Sequence, residues 1–277
     1  MALKHVSTIL EQAYRKKTAV MCFECVNYEQ IMWCIESAEE AEQPVVLMLY
    51  YDMTFYTSTS AFIAMAKAAA EAARIPVGLT YVYADEMELV MAAVKDGFPS
   101  VCYNPKGDTL QEKIDSTRAV VEAAGAYGVD IAASPGEYGQ VTAREAVRFA
   151  KESGIAALVA PVVYGHSDNN LNFTELRHWY ETNVDLIDEE MLREIHQSLD
   201  MPLIIHRANN LSAEEKRKAM GEGVTKFDNG CPMDTAFYRA VKDIAENVDC
   251  GESYFALLME MKERVKRYAF DCIRQLN

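Results

Sequence analysis

Two histidines stand where apolar runs end. His166 follows the run Ala157–Val163 and His206 closes Leu203–His206, in a chain with only 5 histidines. Imidazole is the commonest protein ligand for a divalent ion, and its neutral form suits zinc. Two imidazoles on separate strands, with a carboxylate or water, could hold one ion; otherwise each hydrogen-bonds to nearby backbone. Arg207 comes directly after His206. Its guanidinium could grip a carboxylate or phosphate of a ligand, or pair with an acid of this chain. Asn209 and Asn210 follow, and Asp228 and Asn229 come after the run Val224–Phe227. These suit a hydroxyl-rich ligand, although Asn is also favoured in loops by its local hydrogen bonds.

Proton transfer has its own candidates. Asp85 and Glu86 come just after the run Val77–Val82. Either could be an acid or base, and either could simply favour a helix start through the dipole. Lys106 and Lys226 are the lysines near run ends, where a Schiff base is conceivable. Lys106 sits in an Asn-Pro-Lys-Gly turn that reads as solvated. Cys22 and Cys25 form a single C-x-x-C in an apolar run, without the second pair a zinc site wants. They read as buried strand cysteines, and the odd count of 7 cysteines suits reduced thiols.

Eight short apolar runs can position these residues: Ala19–Val26, Val45–Tyr50, Val77–Val82, Ser100–Tyr103, Val129–Ala133, Ala157–Val163, Leu203–His206 and Val224–Phe227. Their near-continuous hydrophobicity predicts strands covered on both faces. Helix-like segments alternate with them. Thr109 with Glu112, Thr142 with Glu145, and Ser212 with Glu215 have capping-box spacing. Pro232 fits a first helical turn, and a last amphipathic helix is predicted over Ser253–Ile273. Eight alternations predict one (β/α)8 TIM-barrel domain over residues 1–277, with the site at the C-terminal ends of the strands. A doubly wound open sheet is the alternative, but no glycine-rich phosphate fingerprint follows the first run. The long connection Tyr164–Ile187 reads as a lid or an oligomer contact.

The formal charge of −15 argues against nucleic acid and anionic membrane surfaces as partners. No run is long enough to span a membrane, and the first residues lack a signal-peptide core. A cytoplasmic location is the expectation.

Over most of its length the sequence resembles the class II, metal-dependent fructose- and tagatose-bisphosphate aldolase family. The likeness is carried by Asn27-Tyr28-Glu29-Gln30-Ile31, Ala64-Met65-Ala66-Lys67-Ala68-Ala69-Ala70, Ile75-Pro76-Val77, Gly97-Phe98-Pro99-Ser100-Val101, Met201-Pro202-Leu203-Ile204-Ile205-His206 and Gly223-Val224-Thr225-Lys226. The resemblance implies the barrel, a homo-oligomer and a divalent metal, zinc by preference, held by His166 and His206. Tyr83, Glu137 or Asp228 would complete the shell.

The family's chemical motifs are altered. Its H-L-D-H-G pattern at the third strand reads Thr80-Tyr81-Val82-Tyr83-Ala84, so Val82 replaces the acid/base and Tyr83 an imidazole. A positioned acid/base is worth ~10²–10⁴-fold in rate. Its acidic residue on the fifth strand falls at or near Ser134. The G-G-S-G phosphate loop reads Arg207-Ala208-Asn209-Asn210, and N-x-N-T-D reads Asp228-Asn229-Gly230-Cys231-Pro232. The expected activity is that of a divergent metal-dependent aldehyde-lyase of carbohydrate metabolism. Its substrate would be a sugar, sugar-phosphate or sugar-acid other than fructose 1,6-bisphosphate. Asp85, Glu86 or Tyr83 would act in catalysis, and Arg207, Asn209, Asn210, Asp228 and Asn229 would bind substrate. The alternatives are an inactive homologue serving as a sugar-binding or partner subunit, and a barrel isomerase or epimerase.

Overall fold

The computed structural model describes residues 2–164, 186–208, 211–251 and 253–276. Eight parallel strands close into a barrel: β1 Val20–Glu24, β2 Val45–Tyr50, β3 Val77–Ala84, β4 Ser100–Tyr103, β5 Asp130–Ala133, β6 Ala157–Val159, β7 Leu203–Ile205 and β8 Val224–Asn229. Each pairs with its sequence neighbour, and β1 closes the ring on β8 with Val20 opposite Lys226. The strand run expected over 157–163 stops early. Pro161 has no N–H to continue a ladder, and Val163–Tyr164 instead pairs antiparallel with Leu186–Ile187 outside the barrel.

Helices wrap the sheet: α1 Val6–Lys16, α2 Tyr28–Glu40, α3 Thr59–Ala72, α4 Met87–Asp96, α5 Leu110–Gly125, α6 Ala143–Ser153, α7 Glu189–Ser198, α8 Ala213–Gly221, α9 Cys231–Asn247 and α10 Tyr254–Arg274. The three expected capping boxes form, each Ser or Thr hydroxyl accepting from the backbone of a Glu that reaches back to the cap. Such caps satisfy backbone donors that a helix start otherwise leaves open.

The core has two parts. One lies between strands and helices. The other fills the barrel itself with Val20, Cys22, Val46, Met48, Val82, Cys102, Ala132, Ala157, Val159 and Ile204. Helix α1, not foreseen from the sequence, adds Val6, Ile9 and Leu10 to this inner cluster. It sits at the N-terminal end of the barrel, where Ser7 N donates to Asp130 at the start of β5. Cys22 and Cys25 are both buried. Among the described residues no helix is long and apolar enough to cross a membrane.

Candidate active site

Alternate residues of a strand share a face. On β8, Lys226 and Asp228 therefore point the same way, inward, and on β7 so do Ile204 and His206. On β2, Val46 and Met48 belong to the inner cluster and Tyr50 packs on its outer end. The result is a hydrogen-bonded column of four side chains. Lys226 Nζ donates to Asp228 Oδ1 at 2.5 Å, Asp228 Oδ2 lies 3.0 Å from His206 Nδ1, and His206 Nε2 lies 2.7 Å from the Tyr50 hydroxyl. Lys226 and Asp228 are 2% and 1% exposed.

Burial alone would push the Asp228 carboxyl up, but the Lys226 ammonium and the His206 hydrogen bond outweigh it and hold it at about 2. Burial disfavours the Lys226 ammonium, and Asp228 more than offsets that, leaving its pKa raised. For His206, burial wins over Asp228 and lowers the pKa, so the ring is neutral at pH 7. An ionised carboxylate only accepts. His206 Nδ1 therefore carries the proton and donates to Asp228, and Nε2 accepts from the Tyr50 hydroxyl.

Other groups crowd this end of the barrel. The Tyr83 ring stacks on Tyr50 with centroids 5.6 Å apart and lies 4.7 Å from the His206 ring. Its hydroxyl is pushed well up, first by burial and then by Glu137. Arg207 Nη1 pairs with Glu137 Oε2 at 3.6 Å. Tyr83 (φ 67°) and Arg207 (φ 60°) both take left-handed backbone. For non-glycine residues this costs ~1–3 kcal/mol each, and such strain clusters at functional sites. Gly230 follows β8 where a Cβ would stand 3.1 Å from Glu24 Oε2 and 3.8 Å from the Tyr50 hydroxyl, so glycine permits that close approach. Glu24 itself is buried at the end of β1.

Several expected residues are engaged with other partners. Asp85 and Glu86 share Lys106, at 2.9 and 3.0 Å, in an ion-paired cluster whose lysine is 61% exposed. Asp228, expected to bind substrate, has both oxygens engaged below the mouth. Asn229 falls on the opposite face of β8, where its Nδ2 donates to the Tyr268 hydroxyl at 3.0 Å beneath α10. A Schiff base at Lys226 conflicts with its buried, ion-paired ammonium, and Lys106 is likewise paired. His166, Asn209 and Asn210 lie outside the described residues. Tyr50, Glu24 and the pairing of Lys226 with Asp228 were missed. A charged residue at i and i+2 in an apolar strand was the available signal for that pair.

The divalent ion implied by the resemblance finds a poor donor set. Among the described residues no three His, Cys, Asp or Glu are grouped to hold a metal. Both His206 nitrogens are engaged by Asp228 and Tyr50. The position of the family's β3 imidazole is Tyr83, a half-buried phenol. The donors among the described residues do not fit a metal, and His166, the other expected ligand, lies outside them.

The family description "Fructose-bisphosphate aldolase class-II" matches residues 4–277. A sulfofructosephosphate aldolase of Alkalicoccus urumqiensis is 22% identical over 96% of this chain and 96% of its own length. The D-tagatose-1,6-bisphosphate aldolase subunit GatY of Klebsiella oxytoca is 24% identical over 88% of this chain and 87% of its own. The crystal structure of the YdjI aldolase from Escherichia coli K12 superposes with a TM-score of 0.82 at 21% identity, covering 99% of this chain and 97% of that one. Matched from residue 4 to its last residue, and folded as the same barrel, the chain belongs to the class-II fructose-bisphosphate aldolase family.

Proposed function

We propose that the chain is a carbon–carbon lyase of the aldolase type, a single barrel domain acting on an anionic sugar-derived carbonyl compound at the C-terminal mouth. The observation that carries this reading is the hydrogen-bonded column of Tyr50, His206 and Asp228. Retro-aldol cleavage needs a base for the hydroxyl β to a carbonyl. The substrate hydroxyl gives its proton to the Tyr50 oxygen as the Tyr50 proton passes to His206 Nε2. The imidazolium so formed faces the Asp228 carboxylate. The alkoxide lone pair becomes the C=O of the released aldehyde, the C–C pair becomes the C=C of an enediolate, and the former carbonyl pair moves onto its oxygen. The carbon that lost the C–C bond then recovers a proton from the column as that carbonyl re-forms. Asp85 and Glu86 take no part in these steps.

Arg207, beside His206, is the group that would face the substrate's anionic end. The names of the relatives support sugar phosphates as the class. Side chains at Arg207-Ala208-Asn209-Asn210 replace a glycine loop, which favours a substrate other than fructose 1,6-bisphosphate. The test is aldehyde release from a panel of ketose phosphates, ketose bisphosphates, sulfosugar phosphates and sugar acids, with and without added zinc. Turnover that falls ~10²–10⁴-fold in Tyr50→Phe is the expected result. Silence across the panel overturns the reading and leaves a ligand-binding homologue.

A further inference from the structure

The barrel interior holds an ammonium in an otherwise apolar layer. Lys226 stands in register with Val20 of β1 and Ile204 of β7, and the Cys22 and Cys102 thiols are close enough to feel its charge. A buried ammonium is costly unless a counter-ion meets it with good geometry. Asp228 does so at 2.5 Å, and its other oxygen takes His206. Among the described residues, the deep end of the mouth thus already pairs one ammonium with one carboxylate, whose second oxygen holds the imidazole. Nearer the surface, Glu137 is matched by Arg207, and Glu24 and the Tyr50 ring edge both lie within reach of the Gly230 Cβ position. A divalent ion at His206 would have to displace the Tyr50 hydroxyl from Nε2 and would meet a carboxylate already compensated by Lys226.

We infer that this is a metal-independent acid/base centre in which Lys226 takes the place of a bound cation. The ammonium fixes Asp228, Asp228 fixes the Nδ1–H tautomer of His206, and Nε2 is left to receive the Tyr50 proton. Tyr50 is then the catalytic residue, and Lys226, acting through Asp228 and His206, is a positioning residue. The inference uses the lyase reading only for the reaction served. How the centre is built follows from its geometry.

Two measurements test it without a substrate. Long-range ¹H–¹⁵N spectra of labelled protein report the protonation of each His206 nitrogen, assigned by loss of the signals in His206→Asn. The expected result is a protonated Nδ1 and a hydrogen-bonded, unprotonated Nε2 that shifts toward its unbonded position in Tyr50→Phe. In Lys226→Met the single tautomer is expected to become a mixture. If that variant does not fold, Tyr50→Phe, altered at a half-buried side chain, still decides whether Nε2 accepts from the phenol.

Cobalt(II) titration, followed by its visible spectrum and by metal analysis of dialysed protein, tests the cation. No stoichiometric cobalt and no change in Tm on adding zinc are expected. An Nε2–H tautomer in the wild type overturns the inference. So does about one cobalt per chain that is lost in His206→Asn. Silence in the lyase panel with the expected spectra would sink the proposed activity and leave this centre standing.

Discussion

Asp228→Asn keeps the shape of the side chain and removes one charge from the barrel interior. Lys226 then has no counter-ion in a layer of Val20, Cys22, Val46 and Cys102. Breaking a buried pair by removing one partner costs about 3–5 kcal/mol. The wild-type pKa gives an independent scale. Asp228 falls from 3.8 to about 2, which by linkage is about 2.5 kcal/mol. The raised Lys226 pKa reports the same pair and is counted once. A depressed carboxyl stabilises above its unfolded pKa, so this contribution is present above roughly pH 4 and is lost as pH falls toward 2.

The variant reverses the pH logic, because Lys226 without Asp228 is pushed below its ordinary 10.5. Its unfolded state then binds more protons at high pH, so the variant regains stability as pH rises from 7 to about 10. At pH 7 the midpoint should fall by roughly 6–20 °C for a chain of this length. The assay is urea unfolding of both proteins at several pH values, read as the difference between them so that shared titrations cancel. A deficit under about 1 kcal/mol, or one that is flat from pH 7 to 10, would refute a buried ammonium that depends on Asp228.

Other perturbations probe the mouth and the frame. Tyr50→Phe removes the hydrogen bond to His206 Nε2, whose loss should cost only about 0.5–1.5 kcal/mol in denaturant titration, a stability effect far smaller than its effect on turnover. Arg207→Gly relieves a left-handed arginine at φ 60° and loses a partly solvated ion pair of small value. Its Tm should hold or rise, while KM for an anionic substrate increases roughly tenfold or more. Gly223→Ala places a Cβ 2.5 Å from His196 Nδ1 at φ +82° and should lose about 1–3 kcal/mol. Gly125→Ala, in helical backbone with nothing within 4 Å, should gain about 0.4–1 kcal/mol; calorimetry on the pair separates local strain from a general effect of replacing glycine.

The frame was readable because its signals are local. Apolar runs such as Val45–Tyr50 and the Thr109/Glu112 box each need only a short window of sequence. Helix α1 was missed because its apolar face, Val6, Ile9 and Leu10, serves the inside of a barrel whose walls come from distant segments. The site was half legible. His206 was found as a strand-end imidazole, but its partners depend on register across β2, β7 and β8, which no window contains. Tyr50 read as the last residue of an apolar run. Asn229 and Asp228 were taken together as neighbours, although the pleat sends them to opposite faces of β8. For Asp85 and Glu86 the sequence offers a helix start or an acid/base, but not the pairing with Lys106, which lies 20 residues beyond Glu86.

The closure of β1 on β8 has a kinetic consequence. The first and last strands of the ring pair across about 200 residues of sequence, and contacts of such separation form slowly. Helix α1 contacts β8 as well as β1 and β3, so its inner face gains its full cover only when the two ends of the chain meet. Until then Lys226 and Asp228 can keep their water. Their desolvation belongs to the last step of assembly, after the transition state. Loss of the pair in Asp228→Asn should therefore appear as faster unfolding at a nearly unchanged folding rate, making this buried charge pair a latch on a finished barrel.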